Sequence, residues 1–122
     1  MSFRLDHVHI VSKDVDVMSS FFKRLFLAKV LSYDENLKGA PNTVLKFGGL
    51  RIFIRGVRPG EEPDASSPEL VQGLDHFGLE VENVQESANI LRSRGANFIV
   101  DPEASGVGGR MIAFISGPEN VR

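Results

Sequence analysis

The chain has no cysteine. That excludes a disulfide framework, a thiol nucleophile and a thiolate metal site. It has no apolar run approaching the ~20 residues of a membrane span. Its start, Met1-Ser2-Phe3-Arg4, lacks the apolar segment of a secretory leader. A cytoplasmic location is the expectation. An excess of one charge sign is also missing: 14 Lys and Arg against 16 Asp and Glu leave a formal net charge of −2. Bulk electrostatics therefore give no reason to expect nucleic acid or a membrane as partner. No Ser-His-Asp arrangement, no phosphate-cradling glycine motif beside a helix and no basic-aromatic surface is present.

What the sequence does contain is a repeat. Leu5-Asp6-His7 returns as Leu74-Asp75-His76. In that alignment Val8 pairs with Phe77, Ile10 with Leu79, Asp14 with Asn83, Phe21 with Ile90 and Val30 with Ile99. A repeat of roughly half the chain implies two copies of one supersecondary unit. At 122 residues the chain is long enough for one domain, so each copy is a half-size module. A histidine at the same place in each copy suggests one site shared across a pseudo-two-fold axis.

The apolar pattern gives the order of elements. Residues 3–12 predict a strand with Phe3, Leu5, His7, His9 and Val11 on one face. Asp14 can cap a helix whose apolar stripe is Met18, Phe21, Phe22 and Leu25. A strand over 29–34 is broken by Lys38 to Asn42. Strands over 43–47 and 50–55 flank the turn Gly48-Gly49. Residues 56–69, with Pro59, Gly60, Pro63 and Pro68, form a connector. The second module repeats the order: a strand over 73–81 and a helix begun by Asn83 and Glu86 and closed near Gly95. Strands over 96–100 and 110–116 follow, around a Gly-rich turn at 104–109, and Glu119–Arg122 begins a last strand. The class is α+β, with two βαβββ modules in tandem over about 3–55 and 70–122 and mainly antiparallel sheets.

These features resemble the vicinal oxygen chelate superfamily, the glyoxalase, bleomycin-resistance and extradiol-dioxygenase fold. The resemblance rests on Leu5-Asp6-His7 with Val15, on Leu74-Asp75-His76, on the βαβββ order and on the closing Gly117-Pro118-Glu119-Asn120-Val121. It covers essentially the whole chain. It implies a half-barrel cup with a divalent metal at its base, held by the first and fourth strands of each module. His7 and His76 match the first-strand ligands. The fourth-strand position of module one falls on Phe53, where glyoxalases and acyl-CoA epimerases carry Glu or Gln. A phenyl ring cannot ligate a cation. The matching position of module two lies about two residues past Arg122, since Arg51 aligns with Arg122. This pattern is most similar to the extradiol dioxygenases, which use two His and one carboxylate, a set suited to non-haem Fe(II).

The resemblance thus implies metal ligation by His7 and His76, with Fe, Mn, Zn, Ni or Co as the ion. His9, two residues on and on the same face, is a candidate general base, a group that supports the ligands from behind, or an exposed strand residue. Arg51, Phe53 and Arg55 share a face, so the arginines either flank Phe53 and hold a carboxylate or phosphate of a substrate or form a solvated strand edge. Tyr33 and the turn Ser105–Gly109 are candidates for the cup mouth, the turn being otherwise a plain hairpin. Two functions follow. One is a metal-dependent enzyme acting on a small oxygenated, anionic substrate, with dioxygenase-like chemistry ahead of glyoxalase or epimerase chemistry. The other is a metal-free protein that sequesters a small molecule. A homodimer is expected for either.

Overall fold

The computed structural model describes all residues, 1–122. The chain divides into two units, Met1–Asp64 and Ala65–Arg122. The fold class is α+β, as the pattern of periods indicated.

In the first unit the order is β1 (Val8–Val11), α1 (Val15–Phe26), β2 (Lys29–Leu37), β3 (Ala40–Phe47) and β4 (Leu50–Arg55). The four strands form one sheet in the order β1-β4-β3-β2, with β1 parallel to β4 and the other pairs antiparallel. Asp14 caps α1 by accepting from Val17 N at 3.1 Å, and its own N–H donates to Ser12 Oγ at 3.0 Å. The stripe Met18, Phe21, Phe22 and Leu25 is buried as expected. It packs on Leu45, Ile52 and Ile54, each fully buried. Each such side chain contributes roughly 1.5–3 kcal/mol relative to exposure. Phe26 and Phe47 stack at 5.0 Å to close one end of this core.

Turn chemistry sets the register. Gly48 and Gly49 both have positive φ, which a two-residue hairpin turn of the primed type requires. The β2–β3 turn is tighter than the sequence suggested. Lys38 and Gly39 alone make it, and Ala40, Pro41 and Asn42 already belong to β3. Pro41 is tolerated because the β2–β3 ladder shifts register beside it, while its carbonyl accepts from Gly56 N at 2.9 Å. The first strand is shorter than the expected 3–12. β4 begins at Leu50, and the ladder sets Val8 opposite Ile52, so residues ahead of Asp6 run past the end of their partner. Phe3 and Leu5 are exposed.

After β4 the chain folds back on itself. Arg55 Nη1 donates to Gly56 O at 3.1 Å, and Arg55 makes two bonds, 2.7 and 3.2 Å, to the Glu61 carboxylate. Glu61 also accepts from Arg58 N at 2.8 Å. The segment 56–61 is thus an ordered loop rather than a bare connector.

The second unit holds α2 (Val84–Ser93), β5 (Asn97–Glu103) and β6 (Ile112–Ser116). Asn83 caps α2 by accepting from Glu86 N at 2.9 Å. Gly95, at φ +87°, ends it: Gly95 N bonds Arg92 O and Ala96 N bonds Leu91 O, the paired bonds of a left-handed C-terminal cap. β5 and β6 form an antiparallel hairpin around a short 3₁₀ turn at Val107–Gly109. The strand expected over 73–81 is not one. Its one backbone bond to a distant segment is Phe77 N to Arg122 O at 3.3 Å, too little for a ladder. Residues 118–120 form a 3₁₀ turn, with Glu119 and Asn120 at positive φ, instead of opening a strand. Ala88 is the sole buried residue of this unit. No helix is long and apolar enough to cross a membrane.

Two outcomes follow from the packing. Ile52→Ala should lower stability by about 2–5 kcal/mol. Ile99→Ala, at a site 49% exposed, should change it by about 0.5 kcal/mol or less. Chemical denaturation giving the reverse order would contradict this core.

Glu61 is held below the ordinary glutamate range, first by the hydrogen bond from Arg55 and then by the backbone N–H of Arg58. A carboxyl depressed on folding stabilises the protein above its unfolded value and loses that contribution as pH falls through its folded value. Glu61→Gln should therefore flatten the loss of stability below about pH 4.3, where the unfolded carboxyl titrates. Denaturation midpoints falling as steeply with acid in the variant would contradict the clamp.

Candidate functional site

Parallel pairing of β1 with β4 sets His9 directly opposite Phe53. Strand alternation sends Ile52 and Ile54 toward α1 and turns Arg51, Phe53 and Arg55 to the other face, the arrangement expected from the sequence. On that face three rings gather. The His7 imidazole stacks on Phe53 with centroids 3.9 Å apart and planes 13° apart. His9 lies 6.0 Å from His7 and 5.9 Å from Phe53.

His7 Nδ1 lies 2.7 Å from Asp6 Oδ2. The Asp6 carboxyl is held below its ordinary value, first by this hydrogen bond, and Arg51 adds to the effect from 3.7 Å. An ionised carboxylate only accepts, so His7 Nδ1 carries the proton. Nε2 is then the ring nitrogen left for a ligand. His9 is held below the ordinary histidine value, by burial first and then by the positive charges of His7, Arg55 and Arg58. The shift favours its neutral form, which can accept a proton.

The second unit builds the same set of contacts by other means. His76 Nδ1 lies 2.7 Å from Asp75 Oδ2. Arg122 Nη2 reaches Asp75 Oδ1 at 3.0 Å. The hydrogen bond from His76 and the charge of Arg122 both lower the Asp75 carboxyl. The His76 ring meets Phe114 of β6 edge-on at 4.7 Å. Each unit thus has one Asp between a His and an Arg, and one His against a phenyl ring. A carboxylate that fixes a histidine's tautomer and orientation is the usual support of a metal-bound imidazole.

Of the residues singled out from sequence, His7, His9 and Phe53 come together, with Arg51 within 3.7 Å of Asp6. Arg55 does not present a free guanidinium, because Glu61 holds it. Tyr33 is not on this face. The ladder pairs it with Thr43, whose partner is Ile54, so it belongs to the α1 side. There it lines a cleft of about 260 Å³ with Val15, Asp16, Ser19, Lys23, Val30 and Thr43. Nowhere do three or more His, Cys, Asp or Glu side chains group so as to hold a metal ion.

Sequence reasoning gave no role to Asp6, Asp75, Arg122, Arg58 or Phe114. For the two aspartates the signal was present, because each stands inside the repeated tripeptide. Arg122 aligns with Arg51, and the backbone bond from Phe77 to Arg122 falls where the first unit sets Val8 opposite Ile52. Phe114 and Arg58 had no such signal.

Comparison with known proteins bears on the fold. No curated protein matches the chain. Among solved structures, a glyoxalase family protein from Enterococcus faecalis is 21% identical, with a TM-score of 0.74, covering 96% of this chain and 91% of that one. Glyoxalase I from Zea mays is 21% identical, with a TM-score of 0.72, covering 93% of this chain but 41% of that longer one. A fosfomycin resistance protein from Listeria monocytogenes, in complex with Mn(II) and a dihydroxypropylphosphonic acid, is 20% identical, with a TM-score of 0.66 over 99% of this chain and 86% of that one. The fold is that of these glyoxalase/dioxygenase-like proteins. The family model of the Glyoxalase/Bleomycin resistance protein/Dioxygenase superfamily matches residues 6–114, and the chain belongs to that superfamily.

Proposed function

We propose that this protein is a divalent-metal-dependent enzyme acting on a small, oxygenated, anionic molecule. His7 and His76 are the ligands, Asp6 and Asp75 hold them, and His9 is the general base. The observation that carries this reading is the repeated Asp–His pair, 2.7 Å in both units, which leaves Nε2 of each imidazole as the donor. Imidazole donors fit Fe, Mn, Zn, Ni or Co. Such an ion, when bound, supplies Lewis acidity toward vicinal oxygens of the substrate. Phe53 supplies no donor, and that favours open coordination of the dioxygenase kind over glyoxalase chemistry. The Mn(II) and phosphonic acid bound to the Listeria relative are consistent with a metal and an anionic ligand here. A homodimer accords with the exposed Phe3, Leu5, Leu70 and Leu74.

A second reading is a metal-free protein that binds a small molecule. It is favoured by the absence of any three-donor group and by the phenyl rings against both histidines. Aromatic walls suit a sequestering site, whereas they add nothing to a metal's coordination.

Metal titration separates the two. His7→Ala and His76→Ala should each abolish tight binding of Mn(II) or Fe(II) without loss of the fold, because both rings are partly exposed. Asp6→Asn and Asp75→Asn should weaken it by roughly 10–100-fold. Full metal occupancy in both histidine variants would end the ligand assignment.

Phe53→Glu tests the dioxygenase reading. The carboxylate should raise metal affinity and close the open coordination, with a modest local effect next to Arg51. If the melting temperature drops sharply and Mn(II) does not restore it, the buried charge has gone unpaired. The site would then be dry, and the metal reading would fail at this position.

A further inference from the structure

We propose that Arg58 is the anchor for the anionic group, a carboxylate or a phosphoryl group, of the molecule this protein binds. The inference deepens the function proposed above and rests on it for placing the ligand on the His9 face of the first sheet.

Three arginines lie near that face, and two of them are engaged. Arg51 has Asp6, at 3.7 Å. Arg55 has Glu61, through two hydrogen bonds. Arg58 has no ion pair. Its Nε is buried and finds no hydrogen-bond partner, the one such side-chain atom in the protein. The residue is half-buried, in the loop that Glu61 ties to Arg55 on the Phe53 face of β4. A guanidinium partly removed from water and left without an acceptor is costly. Glutamine or methionine would fill similar space without the charge.

The loop around Arg58 is constructed so that this charge stays unmet. Glu61 is the nearest carboxylate in sequence, and its two oxygens are taken up by Arg55 and by the backbone N–H of Arg58. The turn is closed by Glu61 N donating to Arg58 O at 3.1 Å. It is tethered by Gly56 N to Pro41 O, and Pro59 lies so close to Gly39 that a Cβ there would come within 2.6 Å of its ring. A rigid loop that diverts its own carboxylate away from an arginine is preorganised for an acceptor from outside. The terminal N–H groups of a guanidinium meet carboxylate or phosphate oxygens in pairs.

The test uses the full chain stripped of metal with a chelator, so that loss of metal binding and loss of anion binding read separately. Inorganic phosphate and acetate are the probes, each titrated against sodium chloride at equal ionic strength. Calorimetry and the ring-proton signals of His9 are the readouts. At least one anion should bind saturably and move the His9 signals, and which one does so identifies the group. Arg58→Gln should weaken that binding at least tenfold. Arg58→Lys, which keeps the charge without the planar fork, should weaken it several-fold and carries the test if the glutamine variant does not fold. Arg92→Gln, removing one positive charge from α2, should leave it unchanged. Binding by Arg58→Gln or Arg58→Lys equal to that of the parent protein would overturn the proposal. So would a parent response that chloride reproduces.

Discussion

The parallel pairing of β1 with β4 is the contact on which the first site depends. The register sets His9 across from Phe53 and leaves His7, one step ahead of the strand, stacked on the same ring. It carries Ser12 N to Arg55 O at 2.9 Å, which fixes where β4 ends and the loop to Glu61 begins. Slippage by one residue would turn Phe53 toward α1 and send an isoleucine to the polar face. The buried pair Ile52 and Ile54 prevents this, since their burial against Met18, Phe22 and Leu25 exists in one register only. The hydrophobic core thus positions the polar site from the opposite side of the same strand.

The two units reach the same local chemistry with unequal support. In the first, a four-stranded sheet and a buried helix face hold Asp6 and His7. In the second, a single backbone bond and the Arg122 side chain hold Asp75 and His76. In both, the aspartate is the pivot. It takes the proton-bearing nitrogen of the adjacent histidine on one oxygen and faces an arginine with the other. That arrangement sets the tautomer through short local contacts, and a two-residue Asp-His step is sufficient to encode it.

Much of the first unit was legible in the sequence because its signals are strong and mutually consistent. The stripe Met18, Phe21, Phe22 and Leu25, the cap Asp14 and the turn Gly48-Gly49 each have one physical reading. The alternation Arg51 to Arg55 correctly separated two isoleucines for the core from three residues for the other face. The second unit was less legible. Residues 73–81 alternate like a strand, but a strand exists only through its ladder, and pattern alone does not supply the partner. The pairing of Arg55 was not legible for a related reason. Its capture by Glu61 depends on a loop closure that has no periodic signature. Arg58, which stayed unpaired, gave no signal until the hydrogen bonds around it were known.

Each repeat presents a histidine that donates through Nδ1 to its aspartate and is open at Nε2. The most direct measurement is the imidazole nitrogen spectrum of His7 and His76 in ¹⁵N-labelled protein, recorded during titration with Zn(II) in place of a redox-active ion. Nδ1 of both rings should be protonated before metal is added, and Nε2 of both rings should shift as zinc binds. Rings protonated on Nε2, or nitrogen signals of His7 and His76 that do not respond to zinc, would contradict it.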